Sequence, residues 1–232
     1  MGRALHIGIV ACSAEGASLC HRTICAEGEA RLGAHAHPEL SLHSHALADY
    51  VACLDRADLD GIATLMLDSA HRLAAAGADF LICPDNTIHA ALPRVRERSP
   101  RPWLHIAEVV AAEVVRRGLR APALLGTRWL VTSDVYPEAL RVHGLAALRP
   151  ESRDLDVVHG VIMEELVRGE FRPGSVAALR EVVDRLRDAG ADAVILGCTE
   201  LPLVLDDRNA SLPTLDSTRL LARAAVERAL AI

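Results

Sequence analysis

The sequence predicts an α/β protein of two pseudo-symmetric lobes, each a parallel sheet sandwiched between helices. Three observations carry that prediction. Short apolar runs (Leu5–Val10, Phe80–Cys83, Ala121–Gly126, Ala193–Leu196) alternate with longer amphipathic stretches, as strands buried between helices do. Hydrophobic residues make up 51% of the chain and aromatics only 3%, so the core must be Ala, Leu and Val, which suits helices packed on parallel strands. The third observation is an internal repeat. Ala76-Gly77-Ala78-Asp79 and Ala189-Gly190-Ala191-Asp192 are the same tetrapeptide, each placed between a helical pattern and an apolar run. Superimposing them puts Asp85 opposite Cys198 and Asn86 opposite Thr199.

In chain order, Leu5–Val10 reads as a strand running into the polar cluster Cys12-Ser13-Ala14-Glu15, with a helix over Ser18–Glu29. Residues 33–45, with His35, His37, His43 and His45 around Pro38, read as a loop leading to an edge strand. Asp60–Ala76 is an amphipathic helix with Ile62, Leu65, Ala70 and Leu73 on its apolar face and Gly77 at its end. After the strand at Phe80–Cys83 come a charged surface stretch (Arg94–Arg101), a strand at Trp103–Ile106 and a helix over Val109–Arg117 stopped by Gly118. A second cycle then opens with Ala121–Gly126. Helices follow at Tyr136–His143, Asp156–Arg168 and Gly174–Ala189, then the strand Ala193–Leu196, a strand at Pro213–Leu215 and a closing helix from Asp216. The expected lobes are 1–105 with 213–232, carrying Asp85, and 106–212, carrying Cys198.

Composition removes several classes of function. No lysine occurs, and all 25 basic residues are arginine, which excludes a pyridoxal-phosphate Schiff base, a Schiff-base aldolase and a P-loop lysine. A net charge of −6 argues against nucleic acid as partner. No apolar run is long enough to cross a bilayer, and nothing near the N-terminus reads as a signal peptide. The six cysteines form no CxxC pair, so reduced thiols in the cytoplasm are expected.

Ligands of α/β sheets bind at the C-terminal edge of the strands. Asp85 and Cys198 both stand there, so the repeat predicts that they face one pocket from two related halves. Cys198, after Gly197 and before Thr199-Glu200, is read as a functional thiol whose reactivity needs nearby amides or charge. Asp85 is read as catalytic, although Pro-Asp-Asn is also ordinary turn chemistry. Asn86, Thr87 and Thr199 can bind a substrate carboxylate or serve as caps, and Ser13 and Thr127 occupy matching loop positions beside the expected pocket. Cys83 reads as core and Cys20-His21 as structural. No metal is expected from the histidines, which lack helical HxxxH spacing.

These residues resemble the aspartate/glutamate racemase superfamily along essentially the whole chain. The matching pieces are Gly8-Ile9-Val10 with Ser13-Ala14-Glu15, Arg31-Leu32-Gly33 with His35, Asp85-Asn86-Thr87-Ile88-His89, Leu125-Gly126-Thr127 with Tyr136, Gly197-Cys198-Thr199-Glu200-Leu201-Pro202-Leu203, and Leu215-Asp216-Ser217-Thr218. The resemblance implies a cofactor-independent isomerase with its site in the interlobe cleft, a small carboxylate or amino-acid substrate contacted also by Glu200, and a homodimer. It further implies two cysteines on opposite faces of the substrate α-carbon, one removing the α-proton and the other returning a proton. This chain departs from that pattern by placing Asp85 where the first cysteine stands. A carboxyl group can still carry a proton. Near its reference pKa of about 3.9 it accepts one better than it donates, and burial beside other negative charge would raise that value. The two directions of reaction are then unequal. A second departure is Leu130, where a carboxylate-binding threonine is common, which weakens the case for a dicarboxylic substrate. A one-sided Cys198 enzyme (decarboxylase, lyase or cis–trans isomerase) and a carboxylate-binding protein are the alternatives.

Overall fold

A computed structural model describes residues 3–231. The chain divides into two compact units, Met1–Val109 with Thr218–Ile232 and Val110–Ser217.

The first unit opens with β1 (Ile7–Ala11), α1 (Ala14–Leu32), β2 (Leu40–Ser44), α2 (Leu47–Asp55), α3 (Leu59–Ala75) and β3 (Phe80–Ile82). A 3-10 turn over Thr87–Ala91 leads to α4 (Leu92–Arg96), β4 (Trp103–Leu104) and α5 (Ile106–Arg116), along which the chain passes into the second unit. The four strands run parallel in the order β2-β1-β3-β4. Side chains alternate across the sheet as the two-residue period requires. Ile7, Ile9, Phe80 and Ile82 pack on one face with Cys20, Ile24 and Ile106. Val10, Leu81 and Cys83 pack on the other with Ile62, Met66 and Leu73 of α3.

The second unit contains β5 (Pro122–Leu125), the short α6 (Arg128–Val131), α7 (Val135–Arg141), α8 (Ser152–Glu164), α9 (Pro173–Asp188), β6 (Ala193–Leu196) and β7 (Thr214–Asp216). Its strands are parallel in the order β5-β6-β7, and an isolated parallel bridge joins Ala123 to Leu148 on the far side of β5. That bridge stands where β2 stands in the first sheet, so the two sheets share one topological plan. The last helix, α10 (Ser217–Leu230), returns to the first unit, where Leu221, Ala222, Ala225, Val226 and Ala229 join the core under β1 and β3.

The repeated tetrapeptide has the same structural task in both units. Gly77 and Gly190 adopt φ of 97° and 100° at the ends of α3 and α9, a left-handed setting open to glycine. The aspartate two residues later then accepts a backbone hydrogen bond at the start of the neighbouring strand. Asp79 Oδ2 accepts from His6 N–H at 2.8 Å, and Asp192 Oδ2 accepts from Arg120 N–H. Their own N–H groups donate to the His6 and Ala121 carbonyls, so each aspartate clasps two parallel strands at the N-terminal edge.

Three expectations need correction. The sequence assigns residues 213–217 to the first lobe and 106–109 to the second, but β7 pairs with β6 (Ile195 with Leu215) in the second sheet, and the units divide after Val109 and after Ser217. The first helix begins at Ala14 rather than Ser18 because the Ser13 side chain caps it, accepting from Gly16 N–H. The helix expected over 156–168 runs from Ser152 to Glu164, followed by a 3-10 turn that Gly169 ends at φ 73°.

Gly8 lets β1 lie close under α3. A Cβ there would meet Ala78 Cβ at 2.9 Å, Leu73 Cβ at 3.3 Å and Leu81 Cδ2 at 2.6 Å. The two Cβ atoms are fixed to backbone and cannot rotate away. Gly8→Ala is therefore expected to destabilise the protein by about 1–3 kcal/mol through overpacking, read as a Tm several degrees lower in calorimetry. An unchanged Tm would show that the strand and helix can separate without cost.

Candidate active site

Parallel pairing of β1 and β3 (Ile9 with Ile82) sends the two chain segments out at the same edge of the first sheet. There the backbone N–H groups of Cys12 and Ser13 each donate to Asp85 Oδ2 at 3.2 Å. Both amides lie at the N-terminus of α1, where unpaired N–H groups and the helix dipole favour negative charge. Amide donors of this kind favour the carboxylate form of the group they bond, the direction opposite to the burial effect expected from sequence. Ser13 is thereby both the helix cap and part of the cradle.

The loop beneath Asp85 is fixed from inside. His89 is buried, and its Nε2–H donates to the Cys83 carbonyl at 3.0 Å. Burial, and next the neighbouring His105, holds His89 well below the usual imidazole range, so it is neutral. Cys83 is core, and burial pushes its thiol well up, with Asp85 the second cause. Asn86 is buried and its carbonyl accepts from His89 N–H, while half-buried Thr87 starts the 3-10 turn. Tyr50 carries no signal in the sequence that points to this place. Its phenol is fully buried, and burial first, then Cys83, Cys12 and Asp85, push its ionisation above the ordinary range. This places a neutral phenol in the polar group around Asp85.

In the second unit, Gly197 N–H donates to the Leu125 carbonyl at 2.8 Å, drawing the end of β6 against that of β5. A Cβ on Gly197 would stand 3.0 Å from that carbonyl oxygen and 2.6 Å from Leu130 Cδ2, so glycine is needed for the close approach. Leu130, the departure noted above, is fully buried and packs over Gly126 and Gly197. Half-buried Cys198 follows, and its thiol donates to Glu200 Oε2 at 2.9 Å. Thr199 Oγ1 donates to the same oxygen at 2.7 Å. Thr199 and Glu200 are 3% and 2% exposed, so this carboxylate is satisfied inside the protein rather than by solvent. Thr127 caps α6, accepting from Leu130 N–H at 3.4 Å, as Ser13 caps α1.

The sequence-selected residues thus fall into two local groups. Asp85 joins the Cys12–Ser13 amides beside Asn86, and Cys198 joins Thr199 and Glu200. Glu200 touches the Cys198 sulfur itself, a closer relation to it than its place in the motif suggested. Of the histidines at 35–45, His37 Nδ1–H donates to the Pro38 carbonyl, while His43 and His45 turn towards α3. No disulfide joins the six cysteines, and no helix among the described residues is long and apolar enough to cross a membrane.

Residues 15–225 match the sequence profile of the Asp/Glu/Hydantoin racemase family. The chain belongs to that family. Over 177 residues, covering 75% of each protein, it is 27% identical to the broad specificity amino-acid racemase RacX of Bacillus subtilis. It is 31% identical over 137 residues to the glutamate racemase of Desulforudis audaxviator, a match covering 58% of this chain and 48% of that protein. The structure of an aspartate racemase homologue from Pyrococcus horikoshii OT3 has a TM-score of 0.82 at 27% identity, covering 97% of this chain and 98% of that one. The relatives are named racemases, which are isomerases. In this family member, the two strand-end groups differ in chemistry: one is a carboxylate accepting two amide hydrogen bonds, the other a thiol donating one.

Two outcomes follow from this chemistry. Burial, with Arg96 nearby, pushes His105 down to about 4, and its ring lies 4.5 Å from that of His89. The unfolded chain binds protons at these histidines near pH 6.5, whereas the folded protein does not. Stability is therefore full above about pH 6.5 and falls as pH drops towards 4, by roughly 1.4 kcal/mol per unit for each group. The urea midpoint should be lower at pH 5 than at pH 7, with a shallower dependence in His105→Asn; equal pH dependence in the two proteins would contradict this reading. The second concerns Cys198, where the Glu200 carboxylate favours thiol over thiolate. Glu200→Gln should speed its alkylation by iodoacetamide at neutral pH several-fold, followed by peptide mass mapping. Slower or unchanged labelling would mean that Glu200 does not restrain the thiol.

Proposed function

We propose that this chain is a cofactor-independent amino-acid racemase or epimerase in which Asp85 and Cys198 exchange protons with opposite faces of one substrate α-carbon. The observation that carries this reading is the complementarity of the two hydrogen-bonding environments. Asp85, held by the Cys12 and Ser13 amides, is supplied as the proton acceptor. Cys198, donating to Glu200, is supplied as the proton donor. Family membership, the equivalent places of the two residues in their sheets and the lack of any lysine for a Schiff base all support it. Ser13, Asn86, Thr87, Thr127, Thr199 and Glu200 are proposed to surround the substrate, with a homodimer in a reducing cytoplasm as the working form.

The protonation arrangement has a kinetic consequence. Reference pKa values of about 3.9 and about 8.5 separate carboxylate-plus-thiol from acid-plus-thiolate by roughly 4.6 units, or about 6 kcal/mol. One direction uses the favoured arrangement and the other the disfavoured one. Two enantiomers have equal free energy, so kcat/KM must nevertheless agree in the two directions. The inequality falls on kcat and KM separately. The buried Leu130 offers no hydroxyl for a second carboxylate, which favours a substrate with a smaller or less polar side chain than glutamate.

A second reading has its own observation. The two amide bonds that keep Asp85 ionised also lower its affinity for a proton, which suits a one-sided reaction run by Cys198, such as a decarboxylation, elimination or cis–trans isomerisation of a small carboxylic acid. Incubating single enantiomers of an amino-acid panel in deuterated water separates the two. Two-sided exchange should place solvent deuterium in the product enantiomer from the first turnover, with Asp85→Asn and Cys198→Ala each losing at least about a hundredfold in rate. Retained turnover in Asp85→Asn alone would transfer the assignment to the one-sided reading. No α-deuterium in any amino acid would falsify racemisation.

A further inference from the structure

The end of edge strand β2, the residue just after it and helix α3 bring together three potential metal ligands, two of them far from the third in sequence. His43 and His45, two residues apart and so on the same side of the extended chain, approach Asp68 of α3. One donor atom from each of the three lies within 4.8 Å of the others. In a tetrahedral site with bonds of about 2.0–2.1 Å, ligand atoms stand roughly 3.3 Å apart, so only small side-chain rotations separate this arrangement from a coordination sphere.

Two details go beyond proximity. His43 Nδ1 lies 3.0 Å from Ser69 Oγ, a hydrogen bond that fixes the ring and leaves Nε2 for another partner. Metal-binding histidines are oriented in this way by a polar group on the second nitrogen. His45 Nε2 is a buried atom 2.9 Å from Asp68 Oδ2, an ion-pair contact that already draws this imidazole and the carboxylate together. A cation entering there would replace that contact with bonds to both groups. The two imidazoles meet edge to face with centroids 5.0 Å apart, so neither ring blocks the other. The Asp68 side chain is 42% exposed and that of His45 23%, which leaves a route from solvent and room for water as a fourth ligand.

We propose that His43, His45 and Asp68 form a binding site for a borderline divalent cation of the Zn²⁺ type. Imidazole nitrogens with one carboxylate suit zinc and its neighbours better than Mg²⁺ or Ca²⁺, which take oxygen ligands. Arg72 tempers the site. Its Nε donates to Asp68 Oδ2 at 2.7 Å, offsetting the charge a cation would otherwise meet. The guanidinium therefore orients Asp68 and weakens cation binding at the same time.

Titration of the full chain, without a histidine tag, with Zn²⁺ in a calorimeter tests this, alongside Co²⁺ titration followed by visible absorption. One ion per chain is expected from this site. Affinity should fall by at least about tenfold in His45→Gln and in Asp68→Asn and stay equal or rise in Arg72→Gln, with all variants folded by circular dichroism. The Co²⁺ complex should show visible d–d bands without the near-ultraviolet charge transfer of a thiolate ligand. Unchanged stoichiometry and affinity in both ligand variants, or a thiolate-dominated spectrum, would overturn the site. None of the three residues belongs to the proposed catalytic groups, so racemase activity and metal binding can fail independently.

Discussion

The first unit is tied together by carboxylates that accept backbone hydrogen bonds at both ends of one strand pair. At the N-terminal edge Asp79 takes the His6 amide, and at the C-terminal edge Asp85 takes the Cys12 and Ser13 amides. Both depend on the parallel register of β1 with β3, because a one-residue slip would turn every side chain to the opposite face. Hydrogen bonds to charged groups contribute about 1.5–3 kcal/mol when sheltered and less where water reaches them. The site is thus part of the scaffold. The carboxylate assigned to chemistry is held by the same kind of bond that aligns the sheet, and the helix it caps begins where it does because of Ser13.

The second unit reaches a similar position by different means. Its strand ends are brought together by glycine, with Gly126 and Gly197 lying under Leu130, and the Cys198 thiol donates to the Glu200 carboxylate. A shared plan has therefore diverged at the two residues proposed to move protons while keeping its clasp, since Asp192 repeats the bond made by Asp79. In the proposed reaction this divergence assigns acceptor and donor roles before substrate arrives. The neutral Tyr50 and His89 beneath Asp85 keep additional charge away from it.

Much of this was legible in the sequence because it is local or repeated. The tetrapeptides, the apolar runs after them and the glycines that end the helices are short-range signals, and they placed Asp85 and Cys198 at strand ends. The Ser13 cap was also within reach, since a serine before Ala-Glu is a helix-start pattern, although the apolar periodicity suggested a later beginning. What escaped depends on neighbours distant in the chain. Tyr50 lies on α2, a helix that no periodic pattern announced, and its place beside Asp85 follows from how that helix packs. β7 changed units because strand pairing is decided by β6, nearly twenty residues earlier. The His43–His45–Asp68 group required knowing that the edge strand lies against α3, which spacing within 35–45 could not show.

The return of α10 has a consequence for how the protein is made. Residues 110–217 form one continuous unit, while the first unit is split by them and completed by 218–232. The apolar layer beneath β1 and β3 takes Leu221, Ala222, Ala225, Val226 and Ala229 from this last helix. During synthesis the earlier strands emerge first, yet one face of their sheet, covered in part by Cys20, Ile24 and Ile106, stays incomplete until α10 has emerged. The inserted unit has all its residues in hand sooner. The half that begins the chain is therefore the half that must wait to close.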